Sequence, residues 1–280
     1  MPGARLAANA TSDGDGGKVI VWSDLATQLQ CAVEARGGSS GGHGGFAEVS
    51  GKAYLDFRGT ADLSARQGRV GTLLLDPIDL NVAASGATDG DVPGGGTFGF
   101  GINAAGNSTV TSGRITTLLA TTDVVLQASR DITVNSAILV PASGTRDLTL
   151  QAGRNITVSQ PITVLGNIVL SSSDASSSTD TASGAVTVNA ALTAATGSVT
   201  ITNDRTNASA GTGTHVVTAT ITAATVNLTG STNLNTGAVL TAATGGVNQL
   251  AGTLTPGANG RLAVLTNVDL ASGTTLVLPT

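Results

Sequence analysis

What the sequence lacks narrows it first. Of 280 residues only 2% are aromatic and 11% charged, a profile unusual for a globular enzyme. Lysine and glutamate stop early: Lys18 and Lys52 are the only lysines, Glu34 and Glu48 the only glutamates. The long remainder therefore has little of what normally populates exposed helical faces, and helix is disfavoured. The single cysteine, Cys31, leaves no intramolecular disulfide, so stability rests on packing and backbone pairing. A formal net charge of −5 without a basic patch argues against nucleic acid bound through its phosphates. No stretch approaches the roughly 18 consecutive apolar residues of a membrane span. Met1 to Gly17 holds no apolar run suited to a signal peptide, so a secreted chain would carry its export signal elsewhere.

What is present favours short strands broken by turns. Hydrophobic residues make up 40% of the chain and glycines number 38, with abundant Thr, Ser, Ala, Val and Asn; β-branched residues suit a pleated surface and glycine supplies tight turns. Self-similarity decides the architecture. QASRDITV from Gln127 recurs as QAGRNITV from Gln151, about 24 residues further on. LTAATGSV from Leu192 returns as ITAATVNL from Ile221 and LTAATGGV from Leu240, at a longer and then a shorter interval that average about 24 residues. Spacing that varies while the unit persists is the signature of solenoid coils with insertions at their corners. Within each unit Leu148 and Leu150, then Ile156 and Val158, alternate with polar neighbours at period two, which marks strands.

The expected fold is all-β, a right-handed parallel β-helix with coils of about 20–25 residues. A single β-helix spans residues 1–280. Within it lie a distinctive block at 14–82, a Gly-rich excursion at 85–108, and degenerate repeat coils over 110–280. Ser171 to Thr181 and Asn203 to Thr214 read as loops leaving the cylinder. Phe98 and Phe100 in the Gly-rich excursion are the residues expected to contact a partner.

The early block contains GGKVIVWSD (Gly16 to Asp24), ARGGSSGGHGGFAEVSGK (Ala35 to Lys52), LDFRGTADLSA (Leu55 to Ala65) and GRVGTLLLDPIDLNV (Gly68 to Val82). This run resembles the filamentous-haemagglutinin-like exoproteins of Gram-negative bacteria, which belong to two-partner secretion. The resemblance implies an extracellular β-helical shaft, exported through a dedicated outer-membrane pore and used for adhesion, aggregation or contact with other cells. The family's amino-terminal secretion domain, with its Asn-Pro motifs, has no counterpart here: no Asn-Pro dipeptide occurs.

Several short patterns invite a catalytic or binding reading, and each has a plainer one. GGSSG at Gly37 to Gly41 fits a nucleophile elbow, but no helix follows to complete the strand–turn–helix. GHG at Gly42 to Gly44 is similar to a motif of pectin-degrading β-helix enzymes, yet no pair of aspartates accompanies His43, and glycoside hydrolysis needs two carboxylates. GGGTFG at Gly94 to Gly99 matches a dinucleotide fingerprint without the strand and helix that give it meaning. DGDGG at Asp13 to Gly17 supplies too few oxygen ligands for calcium and reads as a solvated turn. Thr200 with Thr202 and Thr220 with Thr222 suggest a water-ordering ladder, but their spacing along the chain predicts that the threonines drift out of register. Trp22 and Tyr54 are expected in the core or at a coil end. No catalytic, metal or cofactor residues are assigned.

The functional expectation is a non-catalytic extracellular adhesive or structural β-helix, with no cofactor, no nucleic acid and no membrane insertion. Its partner would be a receptor or glycan on a host or neighbouring cell. The alternative is a homopolymeric filament whose subunits stack end to end through unpaired strand edges. An enzyme acting on polysaccharide would need charged residues clustered on one side of the coils, and none is evident in the sequence.

Overall fold

The computed structural model describes residues 3–84, 108–140, 144–174, 183–203, 213–257, 261–264, 268–272 and 275–276. Among these lie twenty-seven strands and one helix. All the strand pairings within each of its two compact units, Met1–Ala128 and Ser129–Thr280, are parallel.

In the first unit the chain passes through one strand of each sheet and then repeats the circuit. Arg5–Ala7, Lys18–Ser23 and Ala26–Leu29 form one coil; Ala32–Glu34, Phe46–Gly51 and Tyr54–Phe57 form the next. Arg5 pairs with Ala32 and Ala32 with Thr60; Lys18 pairs with Phe46 and Phe46 with Thr72. These first coils thus use nearly equal lengths of chain, each slightly longer than the expected repeat, whereas the step that pairs Thr72 with Asp123 takes up far more chain. Neighbouring strands stacked in this way, with the chain always advancing in one direction, make a parallel β-helix. Alternation fixes the inside: Ala47, Val49, Leu73, Leu75, Val124 and Leu126 are fully buried, while the residues between them face out. Burying each valine or leucine among them contributes about 1.5–3 kcal/mol.

The second unit repeats the plan. Ile132, Ile156 and Val186 stack in one inward column, and Val134, Val158 and Val188 in the next; all are fully buried. The step from Ile132 to Ile156 is the offset legible in QASRDITV and QAGRNITV. The three LTAAT-like segments also stack, Leu192 on Ile221 and Ile221 on Leu240. Among the described residues of this unit the step is shortest from His215 to Thr232 and longest from Ile168 to Val199. The coil cross-section is kept while corners absorb the difference.

Three local departures from expectation have physical causes. Ser112–Leu118 is a helix, closed by Thr111, whose Oγ1 accepts from the backbone N–H of Arg114. Its Ile115 and Leu118, three apart and so on one face, are buried. Ser108 already belongs to strand Ser108–Thr111, paired with Leu80, so the Gly-rich excursion ends before it; Phe98 and Phe100 lie outside the described residues. Finally, the serine run does not leave the cylinder at Ser171: Ser171 and Ser172 complete strand Ile168–Ser172, and Ser171 to Asp174 are buried. Asn203 likewise ends a strand with 9% exposure.

Candidate functional site

Two of the motifs that invited a catalytic reading, Gly37 to Gly41 and Gly42 to Gly44, take part in coil stacking; GGGTFG at Gly94 to Gly99 lies outside the described residues. The glycine-rich segments of the early block lie over one another at a corner. The backbone N–H of Gly14 donates to Gly41 O at 3.1 Å, that of Gly16 to His43 O at 2.8 Å and that of Gly38 to Gly14 O at 2.9 Å. Gly17, Gly45 and Gly71 follow in a column: Phe46 N–H donates to Gly17 O and Thr72 N–H to Gly45 O. A Cβ at Gly45 would strike the Gly17 carbonyl, and one at Gly71 the Gly45 carbonyl. In GHG, the His43 N–H donates to Asp15 Oδ1 at 2.7 Å, and its Nδ1 accepts from the Arg69 N–H at 3.0 Å. The ring is thus occupied by the next coil's backbone.

The second unit uses side chains for the same task. Asp131 Oδ1 accepts from the Asn155 N–H at 3.0 Å, and Asn155 Oδ1 accepts in turn from the Ala185 N–H at 3.1 Å. Arg154 also grips Asp131 through two guanidinium nitrogens. Burial pushes the Asp131 carboxyl up, but the Arg154 and Asn155 bonds outweigh it and hold its pKa below the ordinary value. A second ladder runs from Asp147, through Asn167, to Ser198. These short side chains satisfy corner N–H groups that regular pairing leaves open.

A polar group inside the second unit escaped the sequence reading. His215 is fully buried; its Nδ1 accepts from the Val186 N–H at 3.0 Å, so its Nε2–H donates to Thr229 O at 3.1 Å. Burial holds its pKa below the ordinary value, against the Thr229 bond. Both ring nitrogens serve the fold, which makes the neutral tautomer a structural part. The threonine expectation holds for Thr200, which stands between Val169 and Asn227, and for Thr202, opposite Ser171, but not for Thr222: Thr163, Thr193, Thr222 and Thr241 keep register over four coils, because corner insertions absorb the uneven spacing. Val239 stands opposite Thr220, so the neighbouring file is not a second threonine row.

One outer face in the first unit is that of the sheet Lys18–Ser23, Phe46–Gly51, Thr72–Asp76. Trp22 is not a core residue: it is 54% exposed, and Ile20 beside it 55%. Their strand alternates, with Val19 and Val21 turned inward, so Trp22 must point out. Tyr54, in contrast, is buried at 8% exposure. Register places Trp22, Ser50 and Asp76 in one column of this side, in which Ser50 itself is fully buried, Ile20, Glu48 and Leu74 in the next, and Lys18, Phe46 and Thr72 in a third. Glu48 and Asp76 are thus diagonal neighbours on adjacent strands, a carboxylate pair that sequence inspection missed. Burial and then the charge of Glu48 raise the Asp76 pKa to about 6. Glu48 accepts from Ser50 Oγ at 2.9 Å, while Lys18 is drawn over the Phe46 ring, 5.5 Å from its centre.

Among the described residues no three His, Cys, Asp or Glu side chains are grouped to hold a metal ion, and no helix is long and apolar enough to cross a membrane. Compared with known families and with curated proteins, the sequence matches no family model and no curated protein.

Proposed function

We propose that this chain is a non-catalytic, extracellular adhesive or structural shaft of the filamentous-haemagglutinin-like kind, holding a binding surface away from the cell that secretes it. One observation carries the reading. The residues of the early block on which the resemblance rests are the ones that stack successive coils: Gly17, Gly45 and Gly71 in close approach, and His43 and Asp15 bridging coils. Their chemistry is spent on making a rigid solenoid, and outer faces and loops are left to recognise a partner. The direct test is adhesion: beads coated with the purified chain should bind cultured epithelial or bacterial cells above albumin-coated beads, and equal binding would overturn the reading.

End-to-end assembly into a filament is the second reading. Arg5–Ala7, Lys18–Ser23 and Ala26–Leu29 each have one partner strand among the described residues. Their other rows of N–H and C=O groups are open to a further strand, whether from the same polypeptide or from a second copy. Negative-stain electron microscopy separates the two: long fibres from purified chain support assembly, discrete short particles contradict it.

A further inference from the structure

We propose that the outer face around Trp22, Glu48 and Asp76 binds a polysaccharide bearing free amino sugars, with Trp22 stacking on a pyranose ring and the two carboxylates taking a protonated amino group. This rests on the adhesive reading and gives it a ligand class. The argument starts from the exposed aromatic. Trp22 is the chain's only tryptophan, and its indole stands on the outside of a sheet, more than half exposed. A flat ring on a flat pleated face suits the apolar face of a sugar. A peptide would more naturally take a strand edge or a groove.

Charge then selects among sugars. Glu48 and Asp76 are diagonal neighbours on adjacent strands, about 7–8 Å apart; Lys18, the cation in their three outward columns, is drawn over Phe46, and Lys52, two residues beyond Ser50, is exposed. Burial and the charge of Glu48 push the Asp76 carboxyl up, and among the described residues neither carboxylate forms an ion pair with Lys or Arg. A ligand ammonium placed between the two carboxylates would supply the positive charge, with hydrogen bonds to both. Sulfated or uronic-acid glycans would meet repulsion on the same face. Trp22 and Asp76 stand two strand spacings apart, about 10 Å, with the buried Ser50 between them held to Glu48, so an oligosaccharide that stacks one ring on Trp22 reaches the carboxylates with the amine of a ring one or two units further on.

The tryptophan is its own reporter. Titrating the full chain with a fully deacetylated glucosamine hexamer at pH 6 should shift or quench its fluorescence saturably, and Glu48→Gln/Asp76→Asn should weaken binding about tenfold or more. Circular dichroism of that variant matching the wild type shows the solenoid intact; Trp22→Phe, read by calorimetry, retains weakened binding and supplies a second variant. Four results overturn the proposal: no saturable change with the hexamer, equal affinity in the carboxylate variant, equal binding of a heparin hexamer, or spermine binding as tightly as the hexamer, which would make the face a general cation trap. Release of shorter oligomers from the hexamer would overturn it in favour of a hydrolytic site. Glycan binding lost while coated beads still adhere would refute this face alone and leave the adhesive reading standing.

Discussion

Gly71→Ala is a test of close coil stacking with a magnitude that follows from the hydrogen bonds around one atom pair. A methyl group at Gly71 would strike the carbonyl of Gly45, a backbone atom with no side chain to swing aside. The coil must move, and four bonds converge there: Gly71 N–H to Leu63 O at 2.7 Å, Thr72 N–H to Gly45 O at 3.1 Å, Asp123 N–H to Gly71 O at 3.0 Å and Thr122 Oγ1 to Gly71 O at 2.8 Å. Losing two of them at a buried site, at about 1–2 kcal/mol each with donors left unpaired, costs about 2–4 kcal/mol. Gly113→Ala is the matched control, since nothing lies within 4 Å of a Cβ there and it sits in the helix Ser112–Leu118. It should be neutral or stabilise by up to about 1 kcal/mol. Urea unfolding followed by far-ultraviolet circular dichroism reads both. A Gly71→Ala midpoint equal to that of wild type would refute the stacking argument.

Further predictions concern charge and the buried polar groups. Asp76 is raised from 3.8 to about 6, so the folded chain keeps a proton that the unfolded chain has released between those values; stability from this group falls as pH rises through that window, and the full cost stands above pH 6. Asp76→Asn should therefore stabilise at pH 7.5 by about 1–2 kcal/mol, discounted from roughly 3 for partial exposure, with no gain at pH 3.5; a gain equal at both values in urea titrations contradicts this. His215 has the opposite sign. Its lowered pKa means its contribution is complete above its ordinary value of 6.5 and is lost as pH falls below it. His215→Ala should cost about 1–3 kcal/mol at pH 7.5 by leaving the Val186 N–H unpaired, and should flatten the acid limb of the stability profile. Asp131→Ala, which removes the acceptor for Arg154 and Asn155, should lower the thermal midpoint and expose the Asn155 amide to faster hydrogen exchange, while distant amides such as Leu254 keep their protection.

Much of the fold was legible because two signals agreed. Period-two alternation put Leu148, Leu150, Ile156 and Val158 inside, and the offset between QASRDITV and QAGRNITV put Ile132 over Ile156, where the structure has them. The outer face was harder to read, because neighbours across coils depend on the length of each coil. A uniform step of about 24 residues would set Glu48 beside Thr72; the slightly longer step of this coil sets it beside Leu74 and so brings Asp76 within reach. The same variation hid the threonine file: the steps from Thr163 to Thr193, on to Thr222 and then to Thr241 are unequal along the chain, yet the four residues are in register. Trp22 was expected in the core or at a coil end; Val19 and Val21 had already claimed the inward positions, and its strand is one with a single partner strand among the described residues. His215 and Asn203 gave no signal, since a buried polar residue is recognised only once the backbone groups that satisfy it are in place.

The most direct test of the account measures register. Nitroxide labels at Thr193→Cys and Thr222→Cys, in a Cys31→Ser background, sit on paired positions of adjacent strands, far apart in sequence but about 5 Å apart across the ladder. Their continuous-wave paramagnetic resonance spectrum should show strong dipolar or exchange broadening relative to the two single-label chains, and labels at Thr193→Cys and Thr241→Cys, two coils apart, should broaden less. A Thr193/Thr222 spectrum equal to the sum of the singles would contradict the stacked parallel coil on which every other inference here depends.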